Sequence, residues 1–328
     1  MIDPFGRHIS YLRLSVFDRC DLRCLYCMAE DTEFLPKPEV LSLEELDRLC
    51  GAFIRLGVRK IRLTGGEPLV RRGITELVDR LGEHVAAGRL DELTMTTNGT
   101  QLVRHAEALA KAGMRRVNVS LDSLDPATFR RITRLGKLGQ VLDGIHAAQA
   151  AGLAVKINTV ALKGINEDHI DDLIAWCGKS GCDMTLIEAM PLGEFAASMT
   201  DHALPLPELR RRLEQRWTLE PSDHRSGGPA RYVRVAETGR KLGFITPLSQ
   251  NFCDGCNRVR VSCTGALNLC LGQEVTRDLR APLRSSESDQ PLEQAIIQAL
   301  RLKPEGHDFL QENYTPPPSR CSMNRIGG

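Results

Sequence analysis

The chain has 328 residues, of which 42% are hydrophobic and 26% charged, with a formal net charge of +1, and it reads as an ordinary soluble globular protein too long for one small core. That balance gives no global attraction for nucleic acid or an anionic membrane, and no stretch approaches the roughly 20 apolar residues of a spanning helix. The opening MIDPFGRHIS lacks an apolar signal core, so the expected location is the cytoplasm, where 11 cysteines point to metal or redox chemistry more than to disulfides.

Strand-like runs are expected at Tyr11–Val16, Lys60–Thr64, Glu92–Thr97, Arg116–Ser120, Val155–Val160 and Asp183–Glu188. Helical patterns lie between them, such as SLEELDRLCGAFIRLG, opened by a capping box from Ser42 to Glu45. GTQLVRHAEALAKAG and GQVLDGIHAAQAAG each close on a glycine near the helix end. Strands separated by such helices imply parallel βα units, either an open doubly wound sheet or an incomplete barrel.

Side-chain parity favours the barrel. Leu12 and Leu14 oppose Arg13 and Ser15; Ile61 and Leu63 oppose Arg62 and Thr64. Leu93 and Met95 oppose Thr94 and Thr96, Val117 and Val119 oppose Asn118 and Ser120, and Val155 and Ile157 oppose Lys156 and Asn158. A parallel sheet covered by helices on both faces is apolar on both. One polar face therefore predicts an interior that holds a ligand. GGEP (65–68), TTNG (96–99), SLDS (120–123) and IEAMP (187–191) all follow strands, at the end where barrel enzymes place their sites.

After residue 191 the rhythm stops. PLPELRRRLEQRW is one amphipathic helix, PSDHRSGGPA (221–230) a loop, RYVRVAETGRKLGFITPLS a set of short antiparallel strands, and SSESDQP (285–291) a polar loop. The expected architecture is α/β: an incomplete (β/α)6 TIM-like barrel over 1–191, with a smaller C-terminal α+β domain over 192–328 closing the open side.

Two cysteine groups carry the chemistry. Cys20, Cys24 and Cys27 form C-x3-C-x2-C after the first strand, with no fourth cysteine near in sequence. Four thiolates would suggest structural zinc, whereas three can hold three irons of a 4Fe–4S cube and leave one iron open. This loop, with Tyr26 in its aromatic slot, resembles the signature of the radical S-adenosylmethionine (SAM) enzymes, and TGGEP (64–68) resembles the same family's glycine-rich segment. The resemblance implies a 5′-deoxyadenosyl radical made from SAM at the open iron. It also implies that Tyr26, Gly66, Ser120 and Met190 contact SAM.

The second group, Cys253, Cys256 and Cys270, lies in NFCDGCNRVRVSCTGALNLCLG. With CNRVRV inside it and SMNRIGG at the end of the chain, it is similar to the GTP 3′,8-cyclase family of molybdenum-cofactor biosynthesis. That resemblance spans about residue 7 to residue 328 and implies a second 4Fe–4S cluster whose open iron holds guanine. It implies GTP contacts from Arg13, Arg62, Thr96, Lys156, Arg258 and Arg260, and catalytic roles for Arg258, Arg260 and the inserted tail Gly327–Gly328. Several converging cations suit a triphosphate, and arginine binds phosphate through paired hydrogen bonds. Expected partners are a flavodoxin- or ferredoxin-type low-potential donor, a downstream cyclic pyranopterin monophosphate synthase and, as is common in the family, a second copy of the chain as a homodimer.

Thr185 stands where the family has an arginine, with Lys163 or Arg277 as the candidate substitutes. Cys263 falls between the second group's ligands, but parity sets it opposite Arg258 and Arg260 and so predicts a buried thiol; Cys50, Cys177 and Cys182 are not expected to be ligands, and Cys321 is unassigned. The alternative function is another radical SAM enzyme with one auxiliary cluster and a different nucleotide or phosphorylated substrate. A non-catalytic electron carrier explains neither the polar interior nor GGEP.

Overall fold

A computed structural model describes residues 1–192, 201–271, 273, 276–309, 323 and 327. Alternation of apolar and polar residues yields six strands in chain order: Tyr11–Ser15 (β1), Lys60–Thr64 (β2), Glu92–Thr97 (β3), Arg116–Ser120 (β4), Ala154–Ala161 (β5) and Asp183–Glu188 (β6). The first is one residue shorter than the pattern suggests and the fifth one residue longer at each end, because ladder pairing, not hydrophobicity, sets where a strand stops. Between them run Leu43–Arg55 (α1), Ile74–Ala86 (α2), Leu102–Lys111 (α3), Pro126–Thr133 (α4), Leu138–Ala150 (α5) and Ile170–Lys179 (α6). Neighbours β1 to β6 pair in parallel and in order.

Helix α1 starts where Ser42 accepts from the Glu45 amide at 3.1 Å while the Glu45 carboxylate accepts from the Ser42 amide at 2.7 Å. Its buried stripe, which includes Leu46, Leu49 and Phe53, belongs to the same core as Leu12, Leu14, Ile61 and Leu63 on the outer face of the strands. Each such side chain contributes roughly 1.5–3 kcal/mol by burial.

The segment after β6 does more than cover this sheet; it extends it. Beyond Leu206–Leu213 (α7) come Leu219–Pro221 (β7), Arg231–Val235 (β8) and Lys241–Ile245 (β9), and then Arg258–Val261 (β10), Ala266–Asn268 (β11) and Thr276–Asp278 (β12). The ladder order is β12-β11-β10-β1-β2-β3-β4-β5-β6-β9-β8-β7, and among the described residues its ends are not joined by hydrogen bonds. The antiparallel pair expected there is present, β8 with β9, and β7, which the pattern does not mark, pairs antiparallel with β8. Strand β9, however, lies parallel to β6, and β10 lies parallel to β1. Eight parallel strands therefore stand side by side, the outer two supplied by the C-terminal part. Arg280–Arg284 (α8) and Gln290–Leu300 (α9) follow, and α9 packs on α1 through Arg55, which pairs with Asp289 at 2.7 Å and Glu293 at 2.6 Å.

No helix among the described residues is long and apolar enough to cross a membrane. Replacing Ser42 by alanine removes the side-chain half of the capping box and should cost about 1 kcal/mol. The loss should appear as a lower urea midpoint at unchanged slope; an unchanged midpoint would show that packing alone holds the start of α1.

Candidate active site

The inner faces of the strands and the loops at their C-terminal ends enclose a cavity of about 290 Å³. All six cysteines singled out by spacing line it: Cys20, Cys24 and Cys27 from the first loop, Cys253, Cys256 and Cys270 from the second group. So do Tyr26, Gly66, Ser120 and Met190, and the polar residues Arg13, Arg62, Thr96, Lys156, Arg258 and Arg260. Gly327 does not itself line it, but its carbonyl accepts from Arg260, which does; Gly328 and Cys321 lie outside the described residues.

Each loop is shaped by local backbone bonds. The Cys27 amide donates to the Cys24 carbonyl at 3.0 Å, and the Cys256 amide donates to the Cys253 carbonyl at 3.0 Å, so both C-x2-C pairs sit on tight turns. The first loop is seated on the glycine segment. Gly66 donates to the Phe17 carbonyl at 2.7 Å and Glu67 to the Arg19 carbonyl at 2.8 Å. Gly65 has φ +149°, and a Cβ there would collide with the Phe17 carbonyl; one on Gly66 would collide with the Arg19 carbonyl. Glu67, fully buried, accepts from the amides of Leu69 (3.0 Å) and Asn98 (2.6 Å) and from the Thr97 hydroxyl (2.8 Å). Burial raises its carboxyl to about 7 against those hydrogen bonds. Tyr26 donates to Asp122 at 2.6 Å, and burial lifts the Asp122 carboxyl to about 6.

The cysteines are free thiols, as a cluster site requires. Burial pushes Cys27 up to about 12 and Cys24 well above the ordinary thiol range. Cys256 behaves differently: burial again opposes ionisation, but Lys303, Arg258 and Arg7 outweigh it and hold the thiol below its usual value. Cys256 therefore sits in an electrostatic setting opposite to that of Cys24 and Cys27. Three thiols without a fourth partner fit a 4Fe–4S cluster with one open iron in each loop. Cys263 is buried and does not line the cavity; nor do Cys50, Cys177 and Cys182, which are buried too.

The cations follow from register. Arg260 on β10, Arg13 on β1 and Arg62 on β2 are direct ladder partners, and Lys156 on β5 lies beside Asn118 on β4. Burial lowers Arg13 well below its usual value and Arg260 to about 10, each with a neighbouring arginine adding to the effect. Lys156 is lowered strongly, by burial and then by Arg62. Burial pushes the Tyr11 phenol up, yet Arg62, Arg13, Lys60 and Arg258 reverse this and leave it at about 8. Among the described residues Arg62, Lys156, Arg258 and Arg260 have no carboxylate partner, and Arg62 Nε, Thr96 Oγ1 and Asn118 Oδ1 are buried without a hydrogen bond. Lys156 donates to the neutral Tyr232 hydroxyl at 2.8 Å and Arg260 to the Gly327 carbonyl, so these cations around one cavity lack a counter-anion among the described residues, which fits a polyanion.

Sequence reasoning did not find Phe252, His307 and Phe309, which also line the cavity. Arg258 lies 5.4 Å from the Phe252 ring, and His307 Nε2 is 2.8 Å from the Pro247 carbonyl. None carries a spacing signal. Nor do Lys163 or Arg277 make up for Thr185: both are exposed and outside the cavity lining, while Thr185 is buried with its hydroxyl unpartnered among the described residues. Lys163 sits in a loop after β5 and Arg277 on β12, the strand at one end of the ladder.

Residues 14–177 match the Radical SAM superfamily model and residues 182–309 the model described as Molybdenum Cofactor Synthesis C. A GTP 3′,8-cyclase of Nitrobacter winogradskyi is 59% identical over 328 residues, covering 100% of this chain and 96% of the relative. Those of Bradyrhizobium diazoefficiens (60% over 329 residues, 100% and 96%) and Paracoccus denitrificans (61% over 310 residues, 94% and 90%) are equally similar. Crystal structures of Streptococcus suis SuiB share the fold. The form bound to SAM gives a TM-score of 0.62 at 18% identity, covering 88% of this chain and 68% of that one; the form bound to its precursor peptide SuiA gives 0.64 at 16%, covering 92% and 72%.

Changing Gly66 to alanine should abolish SAM binding by displacing the Arg19 backbone and with it the first cysteine loop. Equilibrium binding of SAM to the reconstituted protein checks this; wild-type affinity would show that the loop does not depend on its glycine seat.

Proposed function

The chain belongs to the GTP 3′,8-cyclase family of the radical SAM superfamily, and from that premise we propose that it joins C3′ to C8 of GTP as the first step of molybdenum-cofactor biosynthesis. The carrying observation is the set Arg62, Lys156, Arg258 and Arg260, which lines one cavity with both cysteine triads and has no carboxylate partner among the described residues. Cys20, Cys24 and Cys27 would hold the family's 4Fe–4S cluster, with Tyr26, Gly66, Ser120 and Met190 against SAM. When bound, cluster and SAM supply hydrogen-atom abstraction from the substrate.

The chain's own residues do the rest. Arg13, Arg62 and Lys156 would bind the triphosphate, and Thr96 would offer its buried hydroxyl. Arg258 and Arg260 would hold the reacting nucleoside end, and the Gly327 carbonyl would fix the Arg260 guanidinium. Cys253, Cys256 and Cys270 would carry a second 4Fe–4S cluster at the guanine, supported by the cations that favour the Cys256 thiolate. Gly328 would complete the inserted tail. The same reading divides the chain into 1–191 and 192–328 and gives it a flavodoxin- or ferredoxin-type reductant. A downstream cyclic pyranopterin monophosphate synthase, a cytoplasmic location and a homodimer complete it.

Anaerobic reconstitution with iron, sulfide, reductant, SAM and GTP should yield 5′-deoxyadenosine together with a cyclised GTP. Deoxyadenosine without consumption of GTP would overturn the substrate assignment. Cys24→Ser should lose SAM cleavage altogether, whereas Cys256→Ser should mainly lose GTP turnover; equal loss of both in Cys256→Ser would leave the second triad a structural role. Removing a charge-assisted phosphate contact costs about 1.5–3 kcal/mol, so Arg62→Gln should weaken GTP binding roughly 10- to 100-fold. Its SAM affinity should stay at the wild-type level, and isothermal titration separates the two.

A further inference from the structure

Two buried cations that no spacing motif marks lie behind the second triad. Arg7 precedes β1 and Lys303 follows α9; they are 9% and 3% exposed. Arg7 spreads its guanidinium over two distant segments. Nη1 donates to the Cys253 carbonyl at 2.9 Å and to the Glu305 carbonyl, and Nη2 donates to the Pro304 carbonyl at 2.5 Å. Its Nε pairs with the buried Asp3 carboxylate at 2.6 Å, which neutralises the charge. Asp3 is itself held by the amides of Phe5 and Arg7, each at 3.0 Å.

Lys303 has the complementary property. Its ammonium donates to the Leu269 carbonyl at 2.5 Å, one residue before Cys270, and it has no carboxylate partner among the described residues. A buried ammonium without a counter-anion is unfavourable, so its surroundings must supply negative charge. The segment it anchors runs directly behind the sulfurs. The Gly306 carbonyl is 3.8 Å from Cys270 Sγ, and a Cβ on Gly306 would stand 3.6 Å from Cys253 Sγ. A shift of 303–307 therefore moves the wall against which both sulfurs rest.

We propose that Arg7 and Lys303 are positioning residues for a cluster on Cys253, Cys256 and Cys270. Arg7 fastens the Cys253 turn to residues 304–305, and Lys303 provides the uncompensated positive charge that retains the anionic cluster and favours its reduced state. The proposal rests on the second-cluster reading given above. The two residues divide the task by chemistry: a planar fork is needed to hold three carbonyls, whereas a point charge suffices beside thiolates. Outer-shell partners of this kind set both ligand orientation and potential.

The test uses the full chain with Cys20, Cys24 and Cys27 changed to serine, so that only the second site can load. Iron and sulfide content, retention of iron against a chelator, and an electron paramagnetic resonance redox titration are read. Lys303→Met should lose about tenfold preference for the reduced state, or about 59 mV for one electron, and Lys303→Arg should restore it. Arg7→Lys, which keeps the charge, should lower cluster retention roughly 10- to 100-fold. If the parent triple-serine chain binds no cluster, the second-cluster reading itself fails. If the parent loads but the Arg7 and Lys303 variants match it in retention and potential, the positioning role is overturned. The Arg7 and Lys303 changes made in the otherwise wild-type chain should leave the first cluster's iron intact; its loss would reduce both residues to general fold stabilisers and overturn the proposal as well.

Discussion

Arg260, Arg13 and Arg62 stand side by side across β10, β1 and β2, at a strand spacing of about 4.8 Å. Three guanidinium groups so close inside a largely enclosed cavity repel one another, and the energy of that repulsion grows as water is excluded. The arrangement persists because the strands that carry it are fixed from outside, by the leucines and isoleucines of their opposite faces packed under the helices. The apolar half of each strand thus holds the polar half in an arrangement it would not adopt alone. The strain is relieved by an anion, and a triphosphate supplies several negative charges in a line.

The cysteine loops obey a second constraint, close backbone approach. Gly65 and Gly66 bring β2's C-terminal end against Phe17 to Arg19, so the first triad is positioned by main chain and not by long side chains. The second triad is held the other way, by side chains of Arg7 and Lys303 reaching main-chain carbonyls. Burial, reinforced by neighbouring thiols and Asp122, raises Cys24 of the first, while cations counter burial at Cys256 of the second. Two triads of different spacing thereby face one cavity, with Cys256 of the second in a more cationic setting than Cys24 of the first.

Much of this is legible in the residues themselves. The first five strands, from Tyr11 to Ala161, announce their faces because each alternates with period two, and the inward set Arg13, Arg62, Thr96 and Lys156 follows from parity. Strands β9 and β10 do not announce that they flank β6 and β1 in parallel. They are 5 and 4 residues long, and their partners lie far away in sequence, so register comes from tertiary packing. Arg7, Phe252, Lys303 and His307 escape for a related reason: each is a single residue of common type whose significance arises from what the fold brings against it. Thr185 is legible as a departure, but not its consequence, because Lys163 and Arg277 proved to lie outside the lining.

The placement of β9 and β10 on the two flanks of β1–β6 also imposes an order on how the chamber comes into being. A ribosome that has released residues 1–192 has emitted every element of the first cysteine loop and its glycine seat, yet both flanks of the parallel sheet are still bare. The part that matches the Radical SAM superfamily model can form early, since domains tend to fold as they emerge. The second triad waits for Lys303 and the wall at 304–306 that follows it, which join Arg7, among the first residues translated. The half-site built for radical formation thus exists before the walls that confine a radical, and loading the first cluster only after the chain is complete would keep that chemistry away from water.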